Sequence, residues 1–338
     1  MVIVVTVSAL PAMPKVSVHW LNFNSMHVIE TTKQSLTALA NLDYPNYELI
    51  VVDIGSTDGS TDIIRGHLQT EPFRKLKVVF VRLNADVGPV DGENAAYRVR
   101  DKQAQYIALT HSDVVAKPDW LGNLVGYMER HRDVGAVQGI VVKIGTHKVD
   151  SSGLMLDEAL NLYALHENST FSLTKPIQIS FVEATMVVYK MEAVQKAIGD
   201  NMDLFVPGAF MNYLEDVLIS VLMWSRGYKS VVLPFVTGEH LRMATTGTYV
   251  EPIARYHIRL RNQIALLYMT NSADKLRFIL QVFRRATLGR GSFAFRQMML
   301  RSVVEGLVWG RRLKPLYGKI NLYETPMRKT SIIGRLHP

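Results

Sequence analysis

Tyr47-Glu48-Leu49-Ile50-Val51-Val52-Asp53-Ile54-Gly55-Ser56-Thr57-Asp58-Gly59-Ser60 decides how the chain is built. Its first half is a short, nearly continuous apolar run, the pattern of a strand buried on both faces. Its second half is a carboxylate, a polar glycine-bearing turn and the start of a helix. The same alternation extends in both directions. Val16–Phe23, Leu76–Leu83, Gln105–Thr110 and Val134–Val142 read as further strands. Met26–Asn41, Ser60–Thr70, Gly92–Lys102 and Pro118–Arg132 read as the helices between them. Strands alternating with amphipathic helices predict an α/β fold, a mostly parallel sheet covered by helices on both faces. Such sheets bind ligands beyond the carboxyl ends of their strands. Here those ends are polar: Asn22 and Asn24, Asp53, Asn84 and Asp86, and His111 to Asp113.

Beyond residue 142 the periodicity weakens, and residues 143–178 read as an irregular connection. A strand at Ile179–Tyr189, a helix at Met191–Ile198, a helix at Leu214–Arg226 stopped by Gly227, and a strand at Ser230–Phe235 follow. The remainder is helical, with segments at Ile253–Met269, Ala273–Thr287 and Phe293–Arg312. This divides the chain into an extension at 1–14, an α/β domain at 15–250 and a helical region at 251–338. The net charge of +8 is unevenly spread: residues 251–338 carry 17 basic against 4 acidic side chains, which leaves the rest at −5. Apolar residues bordered by arginines run through this tail. Phe278, Ile279, Val282 and Phe283 lie beside Arg277, Arg284 and Arg285. Phe293, Phe295, Met298, Met299 and Leu300 lie among Arg290, Arg296 and Arg301. That composition fits a helix lying on an anionic membrane surface; packing on the α/β domain or a homo-oligomer contact would use the same residues. No run approaches the roughly 18 apolar residues of a membrane span. The chain has no cysteine, which excludes disulfides, thiolate metal sites and cysteine nucleophiles and fits an intracellular setting.

Five places carry candidate chemistry. A carboxylate at Asp53 can accept hydrogen bonds from a base or ribose, with helix-start amides beside it for an anion; a capped turn needs the same residue types. Asn84 to Asn94 is a second loop on that edge, with Gly88 and Gly92 permitting a sharp turn and close approach of a ligand. Asp113 follows an apolar strand, where a hard divalent cation bridging phosphates would sit, and so would an ordinary solvated turn. Glu215-Asp216 opens an apolar helix whose free amides favour ionised carboxylates, as a general base requires. A neutral imidazole at His240, read as lying after the last strand, could join a cation's ligands.

Taken in order, these pieces resemble family 2 glycosyltransferases of the GT-A fold, particularly rhamnosyltransferase-like and galactofuranosyltransferase-like members, over roughly residues 15–245. Val16 to Ser25 is similar to the family's first strand and nucleotide loop, and Asp53 to Ser60 to its Asp-x-Gly-Ser-Thr-Asp-Gly-Ser signature. The resemblance implies a nucleotide-sugar donor held by Leu21, Asn22, Phe23, Asp53, Asn84, Gly88, Asn94, His111 and Ser112. It implies a divalent cation, Mn2+ or Mg2+, on Asp113 and His240. It also implies inverting transfer with Asp216 as general base beside Glu215. Asp113 matches the last acid of the family's Asp-x-Asp motif, whereas His111 and Ser112 depart from its first two positions. By the same analogy the donor is a UDP or dTDP sugar in preference to a GDP sugar. The acceptor is a glycan or polyprenyl-linked hydroxyl, and the protein works peripherally on the cytoplasmic face of the cell membrane. The competing readings are a non-catalytic nucleotide-sugar-binding protein and a nucleic-acid-binding protein; the tail shows no recognisable nucleic-acid motif, which disfavours the latter.

Overall fold

The computed structural model describes residues 13–170, 173–199, 203–206, 214–241, 252–289 and 291–328. Most of the expected N-terminal extension, and Arg290, lie outside these residues. Strands β1 (Val16–Asn22), β2 (Tyr47–Asp53), β3 (Lys77–Arg82) and β4 (Tyr106–His111) pair in parallel in the order β4-β1-β2-β3. Between them run α1 (Ile29–Ala40), α2 (Ser60–His67) and α3 (Gly88–Val99). The last of these starts four residues before the sequence pattern does, because Pro89 occupies its first turn, where a missing amide costs nothing.

The second half of the sheet is mixed. After β5 (Val114–Ala116) and α4 (Trp120–Arg130) come β6 (Val134–Lys143), β7 (Val149–Ser151), β8 (Leu154–Leu156), β9 (Leu162–Ala164) and β10 (Ile177–Gln178). They are followed by β11 (Met186–Lys190), α5 (Met191–Ile198), α6 (Glu215–Ser225) and β12 (Lys229–His240). The sheet order is β10-β12-β6-β11-β4-β1-β2-β3, with β5 added to β12 and β7 to β6. β11 runs antiparallel to both β4 and β6, so it begins at the edge where β1, β2 and β4 end. Apolar side chains fill both faces. Trp20, Leu36 and Trp120 lie in one core, and Tyr189, Val217 and Leu222 in the other.

Two strands differ from their predicted lengths. The strand expected at Ile179–Tyr189 is regular only over Met186–Lys190, because the Ile179 amide pairs with Ser230 and the Phe181 amide with Leu154 instead. The strand expected to end at Phe235 continues to His240, and its pairing with β6 shifts register between Val232 and Val236. Pro234 sits in that irregularity, where a residue without an amide proton is tolerated. His240 therefore belongs to a strand and not to a loop after one.

The tail folds into α7 (Pro252–Met269), α8 (Lys275–Leu288) and α9 (Phe293–Tyr317). α7 and α9 lie side by side, close enough that a Cβ on Gly306 would stand 2.6 Å from the Arg261 carbonyl and one on Gly310 2.8 Å from that of Ala265. Their C-terminal ends enter the main core through Leu266, Leu267, Leu313 and Tyr317. Much of the apolar surface expected to be free is spent between these helices. Val282 and Met299 are buried, and Phe278, Ile279, Phe295, Met298 and Leu300 pack around them. Phe283 and Phe293 stay exposed.

Candidate active site

β1 and β2 end side by side, with Asn22 opposite Asp53. The Asn22 amide donates to Asp53 Oδ2 at 2.8 Å and to Ser56 Oγ at 3.2 Å, while the Ser56 amide donates to Asp53 Oδ1 at 3.0 Å. Asp53 is fully buried and first of all builds this loop; a carboxylate has lone pairs left for a ligand. Asn24 accepts from the Thr57 amide, and Asp58 accepts from the Ser60 amide at the start of α2. Gly55, at φ +69°, lies so tightly on Ala85 that a Cβ would come within 2.5 Å of its carbonyl carbon. The two loops at residues 53–60 and 84–88 therefore form one surface. Leu21 is buried and Phe23 half-buried on the same edge, Asn84 is exposed, and Gly88 takes φ +78° with its amide on Asp86.

Asn94 goes elsewhere. Its side-chain amide and carbonyl both pair with the Phe205 backbone, each at 2.9 Å, so it clamps that segment to α3 and does not open toward a donor. Beside it, Glu93 is buried between two imidazoles, with Oε2 3.2 Å from His19 Nδ1 and Oε1 3.9 Å from His111 Nε2. His111 remains half-exposed, while Ser112 is buried and tied through its amide to the Leu21 carbonyl.

β12 pairs antiparallel with β5, which sets His240 opposite Val114 and brings its ring to Asp113. His240 Nε2 lies 3.4 Å from Asp113 Oδ2, and Nδ1 lies 2.8 Å from Asp150 Oδ2. Burial alone would depress this imidazole, but hydrogen bonding to Asp113 and Asp150 pulls it up to about 9. Among the described residues no three side chains form a ready metal cluster. Asp113 and His240 instead supply one oxygen and one nitrogen. That set suits a divalent cation whose remaining ligands come from a diphosphate and water. A cavity of about 560 Å³ is lined by Lys117, Val142, Val149 and Glu239.

α6 starts from Leu214, held at φ +80°, an uncommon geometry for a branched residue and one retained where a structure requires it. That turn sets Glu215 and Asp216 at the helix start. Asp216 accepts from the amides of Val217 and Ala184. Ala184 lies two residues before antiparallel β11, whose Met186 pairs with Thr110, so Asp216 arrives at the same sheet edge as residues 111–113. Some of Asp216 is open to solvent, yet the protein packed around it desolvates the carboxyl and pushes it up to about 6, against the backbone hydrogen bonds from Val217, Ala184 and Asp216 itself, which oppose the rise. A carboxyl so tuned can act as a base near neutral pH. The same two acids, with Glu93, surround buried Tyr189 and hold its hydroxyl well above the ordinary phenol range, behind the effect of burial itself.

The arrangement thus joins Asp113, His240 and Asp216 with the loops of Asn22, Asp53 and Gly88 on one edge. Glu93 and Asp150 complete it without belonging to any recognisable motif. Glu93 is signalled in the sequence only as an acid in an otherwise ordinary helix, and Asp150 lies in the stretch without periodicity.

Comparison with known proteins identifies the family and the fold. A model of the family described as "Glycosyl transferase family 2" matches residues 17–197. An uncharacterized glycosyltransferase of Haemophilus influenzae is 28% identical over 126 residues, which is 37% of this chain and 36% of that protein. The chain spans only about a quarter to a third of the curated relatives it matches. Among solved structures, GalNAc-T7 with UDP, GalNAc and Mn2+ superposes with a TM-score of 0.62 at 14% identity, over 86% of this chain and 55% of that one. Staphylococcus aureus TarS 1-349 in complex with UDP-GlcNAc superposes with a TM-score of 0.56 at 15% identity, over 90% and 89%. At these identities the likeness speaks for the fold, which is the GT-A arrangement that the sequence resemblance implied.

Proposed function

This chain belongs to glycosyl transferase family 2, and on that premise we propose that it transfers a sugar, with inversion, from a UDP or dTDP sugar to a hydroxyl of a glycan or polyprenyl-linked acceptor. The observation that carries the reading is Asp216, desolvated and raised to about 6, at the same edge as Asp113 and His240. Asp216 takes the proton from the acceptor hydroxyl, whose oxygen bonds to the anomeric carbon as the bond to the diphosphate breaks. Glu215 lies beside it at the helix start, and Leu214 fixes the turn that presents both. Asn22, Asp53 and Ser56 hold the nucleotide loop in shape. Gly88 leaves room for a phosphate to approach backbone, and His111 and Ser112 face the sugar. Asp113 and His240 would hold a divalent cation, Mn2+ or Mg2+, which when bound neutralises charge on the departing diphosphate. Asn94 is assigned to the acceptor side, through Phe205.

We also place the protein on the cytoplasmic face of the cell membrane. Among the described residues no helix is long and apolar enough to cross a membrane, while α8 presents exposed apolar residues beside arginines. The test of the transferase reading is Asp216→Asn. Transfer should fall by about 10²–10⁴-fold, while thermal stabilisation by UDP with Mn2+ stays as in the unsubstituted protein. Near-normal turnover in that variant would remove Asp216 from its role. Absence of any nucleotide-dependent stabilisation would favour the nucleic-acid or pure binding reading.

A further inference from the structure

We propose that Asp150 is a positioning residue for the cation site: it fixes the ring of His240 so that Nε2, and not the carbon Cε1 of a turned ring, faces the cation beside Asp113. The inference rests on the reading of Asp113 and His240 as cation ligands and adds the group that makes His240 competent.

An imidazole offers two nitrogens, and the partner of one decides what the other can do. The backbone of His240 is held between β5 and β6, opposite Val114 and Lys143. A fixed backbone still allows the ring to turn over about its Cβ–Cγ bond, which would exchange each nitrogen for a carbon, Nδ1 for Cδ2 and Nε2 for Cε1. Asp150 prevents that exchange. Its Oδ2 is 2.8 Å from Nδ1, leaving Nε2 on the Asp113 side at 3.4 Å.

Asp150 is itself held firmly. It is the middle residue of β7, which pairs with β6 through Val149 and Ser151. The Val149 amide donates to the Ser169 carbonyl at 2.8 Å, the Asn168 amide donates to the Val149 carbonyl at 2.9 Å, and Ser151 Oγ accepts from Gln138 at 3.1 Å. The carboxylate is nearly inaccessible to solvent, and a buried carboxylate costs stability unless its partners repay it. Asp113 is tied to the same strand end, since its carbonyl accepts from the Leu241 amide at 2.8 Å. The three side chains therefore form a line in which two carboxylates hold one ring from opposite nitrogens. Only the Asp113 side lies at the sheet edge that carries Asn22, His111 and Asp216.

The experiment measures Mn2+ affinity by electron paramagnetic resonance of the free ion, with and without UDP, in the full chain and in Asp150→Ala, Asp150→Asn and His240→Ala. Asp150→Ala should weaken Mn2+ about 10–100-fold. Asp150→Asn, whose side-chain oxygen can still accept from Nδ1–H, should recover most of that loss, and His240→Ala should lose at least as much as Asp150→Ala. Nitrogen-15 NMR of the unsubstituted protein with Mg2+ gives a second reading that does not rest on any affinity: the His240 proton should reside on Nδ1, assigned by its disappearance in His240→Gln. Mn2+ affinity unchanged in Asp150→Ala but lost in His240→Ala, or a His240 proton on Nε2 with Mg2+ present, overturns the positioning role. Unchanged affinity in His240→Ala overturns the cation site, and this inference with it.

Discussion

In the proposed reaction Asp216 acts as a base, yet the protein around it resists making it an anion. Its carboxyl is raised to about 6 by desolvation, whereas an aspartate in an unfolded chain titrates near 3.9. Below the unfolded value the group is neutral in both states, and the folded chain keeps the full benefit of burying a neutral carboxyl. As pH rises through about 6 that benefit is lost, because the unfolded chain ionises more easily. Asp216→Asn, neutral throughout, should therefore raise the melting temperature by several degrees at pH 7.5, with the gain shrinking to nothing by pH 4. The same titration governs turnover, whose acid limb should lie near pH 6, with roughly tenfold less activity one unit below it. An acid limb near pH 4, or a variant that melts earlier at pH 7.5, would contradict the assignment of Asp216. Residues of this kind were legible beforehand because their position along the chain is informative: Asp113 follows a strand and Asp216 opens a helix. Glu93 and Asp150 were not. What makes them part of the site is contact with His19, His111 and His240 from other elements, and sequence spacing carries no trace of such contacts.

At the scale of elements, the parallel half of the sheet was readable to within a residue or two at most strand ends. A strand buried on both faces must be apolar throughout, and each of the first four is bounded by a helix or polar turn. The mixed half was harder for a definite reason. The pattern reads as a strand ending at Phe235, just past Pro234, but a register shift in the pairing with β6 absorbs the proline, and β12 continues five residues further to His240. The antiparallel course of β11 is likewise invisible in its own residues, although it is what carries Ala184, and with it Asp216, to the edge where β4 ends. The junction of the two nucleotide loops offers a direct check. Gly55 combines φ +69° with a Cβ position 2.5 Å from the Ala85 carbonyl carbon, so Gly55→Ala must both strain its own backbone and push the 84–88 loop away. It should cost about 1–3 kcal/mol of stability and reduce UDP-dependent thermal stabilisation by more than its own destabilisation explains. A variant that melts and binds UDP like the unsubstituted protein would mean that the two loops do not act as one surface.

For the whole molecule the question is why a helical tail of net charge +13 accompanies the proposed nucleotide-sugar site. Part of the answer is structural, since α7 and α9 share the core with α5 and α6. That contact depends on the missing side chains of Gly306 and Gly310, and Gly306→Leu should force the helices apart and lower the melting temperature sharply. α8 does not share this role to the same extent. Val282 and Ala286 face inward, while Leu276, Leu280 and Phe283, at i, i+4 and i+7, are 65%, 56% and 50% exposed. Arg277, Arg284 and Arg285 are exposed alongside, and the helix contains no acid. An apolar stripe next to a basic one is the arrangement of a helix lying at a lipid interface, with the stripe at the acyl boundary and the arginines among anionic headgroups. The protein should therefore sediment with vesicles containing phosphatidylglycerol and much less with phosphatidylcholine alone, and added salt should weaken the binding. Replacing Arg284 and Arg285 by Gln should cost roughly thirtyfold in vesicle affinity, at about 1 kcal/mol per basic residue near the surface. Replacing Leu280 and Phe283 by Gln should weaken binding even at low salt. Neither pair is part of the donor site, so UDP-dependent stabilisation should be unchanged in both. Sedimentation equal with the two lipids, together with a dimer that Leu280→Gln and Phe283→Gln dissolve, would assign this face to a second copy of the chain instead of a membrane.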